Sequence, residues 1–387
     1  MKPMKSYSHI RGFCHHVDTD LERLRRELGW ARDLKLNSTR VWLSFERYEA
    51  DPEGYLEGLR RFIRTAWEMG ISTMPILFNG NMLDPETIRP AFYQRGDAYA
   101  GAVVEALKDE PGLIMWDIMN EPTANDYFGK ASPEVREARL SEIWAFLRHY
   151  CGFVKGIDPE NAVTIGHDNV FEVEPTADCV DVLSFHDYKE TLAKVEAGYV
   201  YMERLSARYN KPFINSELCC LCRSNPYDMA LKKAREHETG WYLFNLMIGE
   251  GVWGAVHGIF YPDGTLRDPS ILAAVLGYYR NRDPKTVVAA QPNQEGFVEK
   301  ALREANRVLQ IERSDPFGAH SYTAEEILEA AENCANILEC CQLVPMNVPP
   351  TVAINRFRSE KNPNLDEIKA FTYQLAKTLK KASMLVL

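Results

Sequence analysis

Residues 38–78 read STRVWLSFERYEADPEGYLEGLRRFIRTAWEMGISTMPILF. The segments at the two ends, 38–45 and 72–78, are rich in β-branched and apolar residues, which is typical of buried strands. The segment between them, 54–70, has apolar residues at i, i+3, i+4 and i+7, and this spacing predicts an amphipathic helix. Two strands joined through a helix lie parallel in one sheet, so the stretch predicts a βαβ unit.

The same alternation extends over residues 8–283. Further helices are predicted over 20–36, over 134–156, where Ser132-Pro133 precedes the helical pattern, and over 271–281. Eight βα pairs within about 250 residues are typical of one architecture. The sequence therefore predicts an α/β fold, a (β/α)8 TIM barrel. Its eight strands are predicted over 9–14, 38–45, 72–78, 113–119, 161–166, 180–185, 212–217 and 252–258.

The pattern changes after Asp283. Residues 284–387 contain helical patterns without a convincing strand, interrupted at 315–318 (DPFG) and between 345 and 350. We therefore predict two domains, a (β/α)8 barrel over 1–283 that carries any catalytic site and a helical C-terminal extension over 284–387.

Composition narrows the function classes. The chain of 387 residues carries 45 Lys+Arg against 55 Asp+Glu, a net charge of −10, and it has no run of basic residues. Nucleic acids and anionic membrane surfaces are therefore poor partners, because both are bound through clusters of positive charge. The hydrophobic fraction of 45% is that of an ordinary globular protein with a full core. Sugars and other neutral small molecules fit these properties better.

Two patterns concern cellular location. No stretch approaches the ~18 consecutive apolar residues of a membrane span, and the first residues, MKPMKSYSHIRGFCHH, lack the apolar segment of a secretory signal. The nine cysteines show no disulfide-framework spacing and suit reduced thiols. We therefore expect a cytoplasmic protein, unless a signal peptide has been trimmed from the sequence.

Two carboxylates stand where a barrel places its reacting groups, at the C-terminal ends of strands. Glu121 ends the fourth predicted strand in WDIMNEP (116–122), and Glu217 ends the seventh in PFINSE (212–217). Two carboxyl groups that face each other across the barrel mouth can cleave a glycosidic bond. One protonates the leaving oxygen, and the other attacks the anomeric carbon or activates water. A single strand-end glutamate is more often a solvated rim residue, so the prediction depends on the pair.

The neighbours of Glu121 favour the catalytic interpretation. Pro122 disfavours the helical region for the residue before it, so Glu121 is expected to be extended and aimed at the barrel mouth. Asn120 can donate to and accept from a sugar hydroxyl group. The motif therefore predicts both a reacting group and a sugar contact.

These motifs resemble those of the clan A retaining glycoside hydrolases and are most similar to glycoside hydrolase family 5, the cellulase family. The resemblance covers about residues 8–283. It rests on NEP after strand four, a glutamate after strand seven, Arg40 in strand two and SFHDY (184–188) after strand six. It implies a hydrolase that cleaves β-glycosidic bonds of oligosaccharides or small β-glycosides with retention, by double displacement. It implies no metal and no organic cofactor.

The resemblance also implies residue roles. Glu121 corresponds to the acid/base, Glu217 to the nucleophile and Asn120 to the residue that binds the 2-hydroxyl group. Arg40 would contact Glu217 and keep it ionised, because a neighbouring guanidinium favours the charged carboxylate. Tyr188 would hydrogen-bond the nucleophile.

Further sugar contacts are expected around this pair. His186 would line the subsite where the bond is cut. Trp253, in predicted strand eight, is the candidate for the family's aromatic platform, and His257 or Phe260 would replace it if that strand runs further. His16 is a candidate sugar contact on strand one.

Two of these positions have alternatives. The sugar contact on strand one comes from His16 or from its neighbour His15. The family often has a histidine after strand three, but this sequence reads ILFNGNM (76–82) there. Asn79 or Asn81 would then contact the sugar.

Two other function classes stay open. A carbohydrate-binding barrel that has lost hydrolysis would use the same rim, although a pure binder gains little from keeping both glutamates. A metal-dependent barrel hydrolase would take ligands from His15-His16, His167 and His186-Asp187. Adjacent residues of a strand point to opposite faces, which counts against the first pair. The C-x-x-C at 219–222 has no second pair at zinc spacing.

Overall fold

The computed structural model describes residues 3–82, 85–280, 296–309, 322–340 and 349–386. The chain divides into two compact units, Met1–Arg280 and Asn281–Leu387. The roles of the two predicted domains, 1–283 and 284–387, stay a prediction.

Eight parallel strands form the centre of the first unit. They are β1 (Arg11–His16), β2 (Ser38–Trp42), β3 (Ser72–Asn79), β4 (Met115–Asn120), β5 (Ala162–Gly166), β6 (Leu183–Asp187), β7 (Phe213–Leu218) and β8 (Gly240–Leu243). Hydrogen bonds link them in the order β5-β4-β3-β2-β1-β8-β7-β6, and a parallel bridge between His167 and Phe185 brings β5 next to β6. The sheet closes into a barrel, and the predicted (β/α)8 fold is confirmed.

The eighth strand was predicted in the wrong place. Strand β8 is Gly240–Leu243, whereas Gly251–Val256 is a short helix. The predicted run over 252–258 is apolar but lies at the surface, with Val252 74% and Trp253 60% exposed. The observed strand, GWYL, has only four residues and begins with a glycine, so its pattern is weak. The other seven predicted strands overlap the observed ones within a few residues.

Helices surround this barrel and carry the predicted amphipathic patterns. Asp20 caps the first helix by accepting from the backbone N–H groups of Glu22 and Arg23. The helices are α1 (Leu21–Asp33), α2 (Phe45–Ala50), α3 (Pro52–Glu68), α4 (Pro90–Leu107), α5 (Asp126–Gly129), α6 (Pro133–Ile157), α7 (Leu192–Tyr209), α8 (Tyr227–Glu236), α9 (Gly251–Val256) and α10 (Pro269–Val275).

The first unit has two apolar cores. A large one fills the space between the sheet and the surrounding helices, and Trp116 and Tyr150 are among its fully buried members. A smaller one fills the inside of the barrel, with Tyr7, Met74 and Tyr242 at most 1% exposed. The barrel is therefore packed and not a pore, which leaves its C-terminal mouth as the place for a site.

The second unit is helical in its described residues, as predicted. Its helices are α11 (Phe297–Val308), α12 (Ala324–Cys340), α13 (Pro350–Ser359) and α14 (Leu365–Val386). They bury an apolar core of their own, which includes Ala331 and Leu379 at 0% exposure. The predicted break at 315–318 lies outside the described residues, as does most of that at 345–350.

Two observations bear on the predicted location. The seven described cysteines with assigned states are all free thiols, as expected: Cys14, Cys151, Cys179, Cys219, Cys220, Cys222 and Cys334. In the part of the chain that the structure describes, every helix is too short or too polar to cross a membrane.

The packing of the inner barrel core can be tested at Gly12. An alanine Cβ there would lie 2.2 Å from the ring of Tyr242, whose hydroxyl group is 2.8 Å from the Ser38 hydroxyl group inside the barrel. Gly12→Ala should therefore lower the free energy of unfolding by about 1–3 kcal/mol. Urea unfolding followed by circular dichroism measures this. The control is Gly29→Ala in α1, where nothing lies within 4 Å, and it should be neutral or stabilising by up to about 1 kcal/mol. Equal effects of both substitutions would contradict the packing argument.

Candidate active site

A cavity of about 310 Å³ opens at the C-terminal mouth of the barrel. Glu121, directly after β4, and Glu217, in β7, both contribute to its wall. Its volume lies at the lower end of the range for small-molecule sites. The lining residues are His16, Trp42, Leu43, Asn79, Asn81, Asn120, Glu121, Tyr188, Glu217, Arg223, Phe244, Trp253 and His257.

Arg40 of β2 organises the polar side of this cavity. Its side chain is completely buried, and its Nη1 donates to Glu217 Oε1 at 2.5 Å. Its Nε donates to Asp117 Oδ2 at 2.9 Å, and its Nη2 donates to Asn120 Oδ1 at 2.9 Å. One guanidinium thus fixes side chains from β4 and β7, as a planar fork of donors can. The predicted contact between Arg40 and Glu217 is present.

Asp117 is a member of this network that the sequence reasoning missed. It lies in the middle of β4, is completely buried and accepts from the backbone N–H of Gly166 at 3.0 Å as well as from Arg40. Burial raises the pKa of Asp117, although Arg40 opposes this effect. An acidic residue inside an apolar strand pattern needs a buried partner. Asp117 within the segment WDIMNEP was therefore a sequence signal for a buried partner.

The backbone at Glu121 differs from the predicted extended conformation. Its φ is +45°, in the left-handed region that non-glycine residues rarely adopt. Its N–H donates to the Gly166 carbonyl oxygen at 2.7 Å. Gly80 lies so close that a Cβ there would be 2.1 Å from the Glu121 carbonyl oxygen. These neighbours hold a strained conformation against the local preference set by Pro122, and such strain is typical of functional sites.

His186 of β6 lies between the two carboxylates. Its Nδ1 is 2.9 Å from Glu121 Oε1 and 3.5 Å from Glu217 Oε2. One side-chain atom from each of these three residues lies within 4.8 Å of the other two. The two predicted glutamates are therefore brought together.

Tyr188 contacts the other oxygen of Glu217. Its hydroxyl group donates to Glu217 Oε2 at 3.0 Å, and its ring packs edge-on against His257 at 5.6 Å between centroids. Arg40 and Tyr188 together satisfy both carboxylate oxygens of Glu217. The contact predicted for Tyr188 is thus observed.

The two carboxyl groups have unlike environments. Burial raises the pKa of Glu217, although the charges of His186 and Arg40 lower it. Burial also raises the pKa of Glu121, but the hydrogen bond and charge of His186 outweigh it and bring that pKa to about 2. A proton shared by the pair therefore lies on Glu217 more than on Glu121. Arg40 was expected to keep Glu217 ionised; its charge does act in that direction, but burial has the larger effect on the pKa of Glu217.

The histidines of strand one lie on opposite sides of the sheet. His16 is exposed, lines the cavity and packs against Trp42 at 5.9 Å between ring centroids. His15 is buried, and its Nε2 lies 3.0 Å from Glu27 Oε2 of α1. His15 is therefore not the sugar contact.

The histidines that the metal-dependent alternative would use as ligands do not lie together. His167 is buried, its Nε2 lies 2.9 Å from the Thr176 hydroxyl group, and its ring packs against Trp144. His15 is paired with Glu27, as described above. Within the described residues, the group of side chains close enough to hold a metal ion is Glu121, His186 and Glu217. One of these carboxylates is already bound to the guanidinium of Arg40.

The aromatic wall of the cavity differs from the prediction. Trp253 lines the cavity, but from α9 and not from a strand. Phe244 directly follows β8 and also lines the cavity, so it occupies the strand-end position expected of a platform. His257 lines the cavity, whereas Phe260 is buried and packs against Trp30.

Several lining residues were missed or left as alternatives. Trp42, at the end of β2, packs edge-on against Phe244 and was counted only as a strand residue. Asn79 and Asn81 both line the cavity, and Asn79 Oδ1 accepts from Asn120 Nδ2 at 3.1 Å. Of the C-x-x-C cysteines, Cys219 and Cys220 are buried and Cys222 is exposed, and none belongs to the cavity wall.

A second carboxyl pair supports the segment that carries Glu121. The hydroxyl group of Thr123, two residues further on, contacts Asp168 Oδ1 at 2.9 Å and also contacts Glu172. Burial, together with the hydrogen bond and charge of Asp168, raises the pKa of Glu172 to about 8. One hydroxyl proton cannot satisfy two carboxylates, so the pair holds a proton of its own.

This pair predicts a pH dependence of stability. The folded state keeps a proton on Glu172 that the unfolded chain releases near pH 4.5. The stabilisation is therefore complete below that pH and is lost as the pH rises to about 8. In Glu172→Gln, the fall of the free energy of unfolding between pH 5 and 8 should be shallower, by up to about 1 kcal/mol per pH unit. Urea unfolding at both pH values measures it, and equal slopes in the two proteins would refute the shared proton.

A curated relative matches part of the chain, whereas no protein-family model matches it. The mannan endo-1,4-β-mannosidase of Mytilus edulis is 29% identical over 199 residues, which are 42% of this chain and 52% of that enzyme. The match thus spans about half the length of the relative.

Solved structures share the barrel. The endo-1,4-β-mannanase from Rhizomucor miehei has a TM-score of 0.53 at 15% identity, covering 69% of this chain and 92% of that one. A variant of GH5_18 from Streptomyces cattleya, in complex with Manβ1-4GlcNAc, has a TM-score of 0.57 at 13% identity, covering 75% and 83%. At these identities the likeness shows the fold. The names of these proteins, mannosidase, mannanase and GH5_18, agree with the resemblance to family 5 glycoside hydrolases expected from NEP and the second glutamate.

Proposed function

We propose that the protein is a retaining glycoside hydrolase that cleaves β-glycosidic bonds. The observation that carries this proposal is the position of Glu121 and Glu217, with an oxygen of one within 4.8 Å of an oxygen of the other. Retaining enzymes hold their carboxyl groups about 5–5.5 Å apart, and inverting enzymes hold them about 6.5–9.5 Å apart to admit a water. The short separation favours retention.

Glu217 is the proposed nucleophile. Arg40 and Tyr188 hold its two oxygens, so the carboxylate is fixed in one orientation before a sugar arrives. The charge of Arg40 also favours the ionised form that attacks the anomeric carbon. Fixing a reacting group in this way lowers the entropic cost of the reaction.

Glu121 is the proposed acid/base. It gives a proton to the leaving oxygen, and in the second step it removes a proton from the water that hydrolyses the glycosyl-enzyme. Since His186 favours the ionised form of Glu121, the reacting complex needs a contact that favours the protonated form. The glycosidic oxygen supplies it, because it accepts a hydrogen bond only from a protonated carboxyl group.

The remaining lining residues support sugar binding. Asn120 is held by Arg40 and Asn79 and presents its amide beside Glu121, which fits a contact to the 2-hydroxyl group. Trp42, Phe244 and Trp253 offer apolar faces of the kind on which the C–H faces of sugar rings pack. His16 and His257 add hydrogen-bonding groups, so we propose them as further sugar contacts.

The proposed substrates are β-linked oligosaccharides or small β-glycosides. The curated relative and one solved structure bear mannosidase or mannanase names, and a second structure contains Manβ1-4GlcNAc, so β-mannosides are the substrates to test first. The side chains present supply the chemistry without a metal or an organic cofactor. The free thiols support a cytoplasmic location.

The reaction class is tested by product stereochemistry and substitution. Proton NMR of a β-glycoside digest should show the β-anomer of the product first, because two inversions give retention. Glu121→Gln should lower kcat about 10²–10⁴-fold on substrates with a poor leaving group, and Glu217→Gln should abolish turnover. Glu49→Gln, whose carboxylate pairs with Arg95 at the surface, is the control. Initial formation of the α-anomer would overturn retention, and sugar binding without turnover would identify a binding barrel.

His186 should set the basic limit of activity. In His186→Ala both carboxylates lose the charge that lowers their pKa values, and Glu121 also loses its hydrogen-bond donor, so the pair should keep its proton to higher pH. The basic limb of the pH profile of kcat/KM should then move upward by about 1–2 pH units. A basic limb that stays in place while the activity falls would show that His186 does not control the proton that the two carboxylates share.

A further inference from the structure

Arg223 lies in a hydrogen-bonded turn at the rim of the cavity. The turn follows β7, and the backbone groups of Cys220 and Asn225 close it with two hydrogen bonds of 3.0 Å. The buried Asn225 side chain accepts from Cys219 N–H at 2.9 Å and donates to the Lys189 carbonyl oxygen at 2.7 Å. The position of Arg223 is therefore built into the fold.

Aromatic rings hold the guanidinium of Arg223 over the cavity. Its Cζ lies 4.1 Å from the ring centroid of Tyr188 and 6.0 Å from that of Trp253. Among the described residues, no carboxylate pairs with this guanidinium and no side chain or carbonyl oxygen accepts a hydrogen bond from it. Stacking leaves the N–H groups in the plane of the guanidinium free to bind a ligand.

The other arginine of the site is used differently. Arg40 is buried and compensated by Asp117 and Glu217. Arg223 is exposed and lines the cavity, and no carboxylate among the described residues compensates it. Tyr188, on which Arg223 stacks, is hydrogen-bonded to Glu217, so the free charge lies beside the sugar that would react with the nucleophile.

We propose that Arg223 recognises an anionic group on the sugar bound next to Glu217, which makes a uronic acid residue the preferred substrate unit. The inference rests on the proposed function and specifies its substrate class. A planar carboxylate takes two parallel hydrogen bonds from a guanidinium. Near two catalytic carboxylates, an anionic sugar needs such a compensating positive charge. Neutral hydroxyl groups need no full charge to be bound.

The test compares substrates that differ only at C6. The 4-nitrophenyl β-D-mannosiduronate, glucuronide and galacturonide are each paired with the corresponding neutral hexoside, and kcat/KM is measured with the full chain. The pair to compare is the one whose sugar configuration the enzyme hydrolyses. In that pair kcat/KM for the uronide should exceed kcat/KM for the neutral hexoside by about tenfold or more, as charge-assisted hydrogen bonds predict. Arg223→Gln should lower that ratio by about 10–100-fold, and Arg223→Lys should lower it less. High salt should also reduce it.

Arg136→Gln is the matched control. Arg136 is exposed and stacks on Phe128 with 4.3 Å to the ring centroid, but it does not line the cavity. This variant should keep the wild-type ratio. Circular dichroism verifies that all three variants fold.

The outcomes separate this inference from the proposed function. Hydrolysis with a preference for the neutral hexoside, or a ratio that Arg223→Gln leaves unchanged, overturns the role of Arg223 and keeps the hydrolase. Absence of turnover with every pair counts against the hydrolase. In that case NMR titration compares the binding of two trimers, one of β-1,4-linked mannuronate and one of β-1,4-linked mannose. If Arg223 recognises the carboxylate, the wild-type protein binds the mannuronate trimer more tightly than the mannose trimer, and Arg223→Gln binds the mannuronate trimer more weakly than the wild type does.

Discussion

The buried guanidinium of Arg40 is the interaction on which the rest of the site depends. Moving an unpaired charge into a protein interior is very costly, so a buried arginine demands carboxylate partners with good geometry. Asp117 and Glu217 supply the two charges, and Asn120 supplies a further acceptor. Gly166 leaves the necessary space, since a Cβ there would lie 2.4 Å from Arg40 Nη2. Strands β2, β4, β5 and β7 are thereby tied to one point.

Irregular strand pairing aims the side chains at that point. Between Asp117 and Asn120 the register of β4 against β5 shifts, and between Asn215 and Leu218 the register of β7 against β8 shifts. An extra residue in one strand redirects the side chains that follow it, which is why such bulges occur near active sites. The left-handed backbone conformation of Glu121 likewise redirects its side chain. The regular barrel supplies the frame, and these local departures from regularity supply the site.

The sequence predicted the parts of the site that depend on position along a strand. Glu121, Glu217 and Arg40 were found because barrel chemistry follows the strand ends. Asp117 was missed because it lies inside β4 and not at a strand end, and its partner Arg40, 77 residues away, is brought to it only by the folded sheet. Strand β8 was misplaced because four residues carry little periodicity, whereas the exposed run around Trp253 looked like a strand. The conformation of Glu121 depends on contacts with Gly80, which no local rule contains.

The central claim is that Arg40 and its partners hold Glu217 as a nucleophile. Trapping the glycosyl-enzyme tests it most directly. The full chain is incubated with 2-deoxy-2-fluoro β-glycosides and β-uronides that bear good leaving groups, and its intact mass is followed. The account predicts a mass gain of one glycosyl unit, which peptide mapping assigns to Glu217 and which Glu217→Gln does not show. An adduct on another residue, or turnover of these compounds by Glu217→Gln, would contradict it.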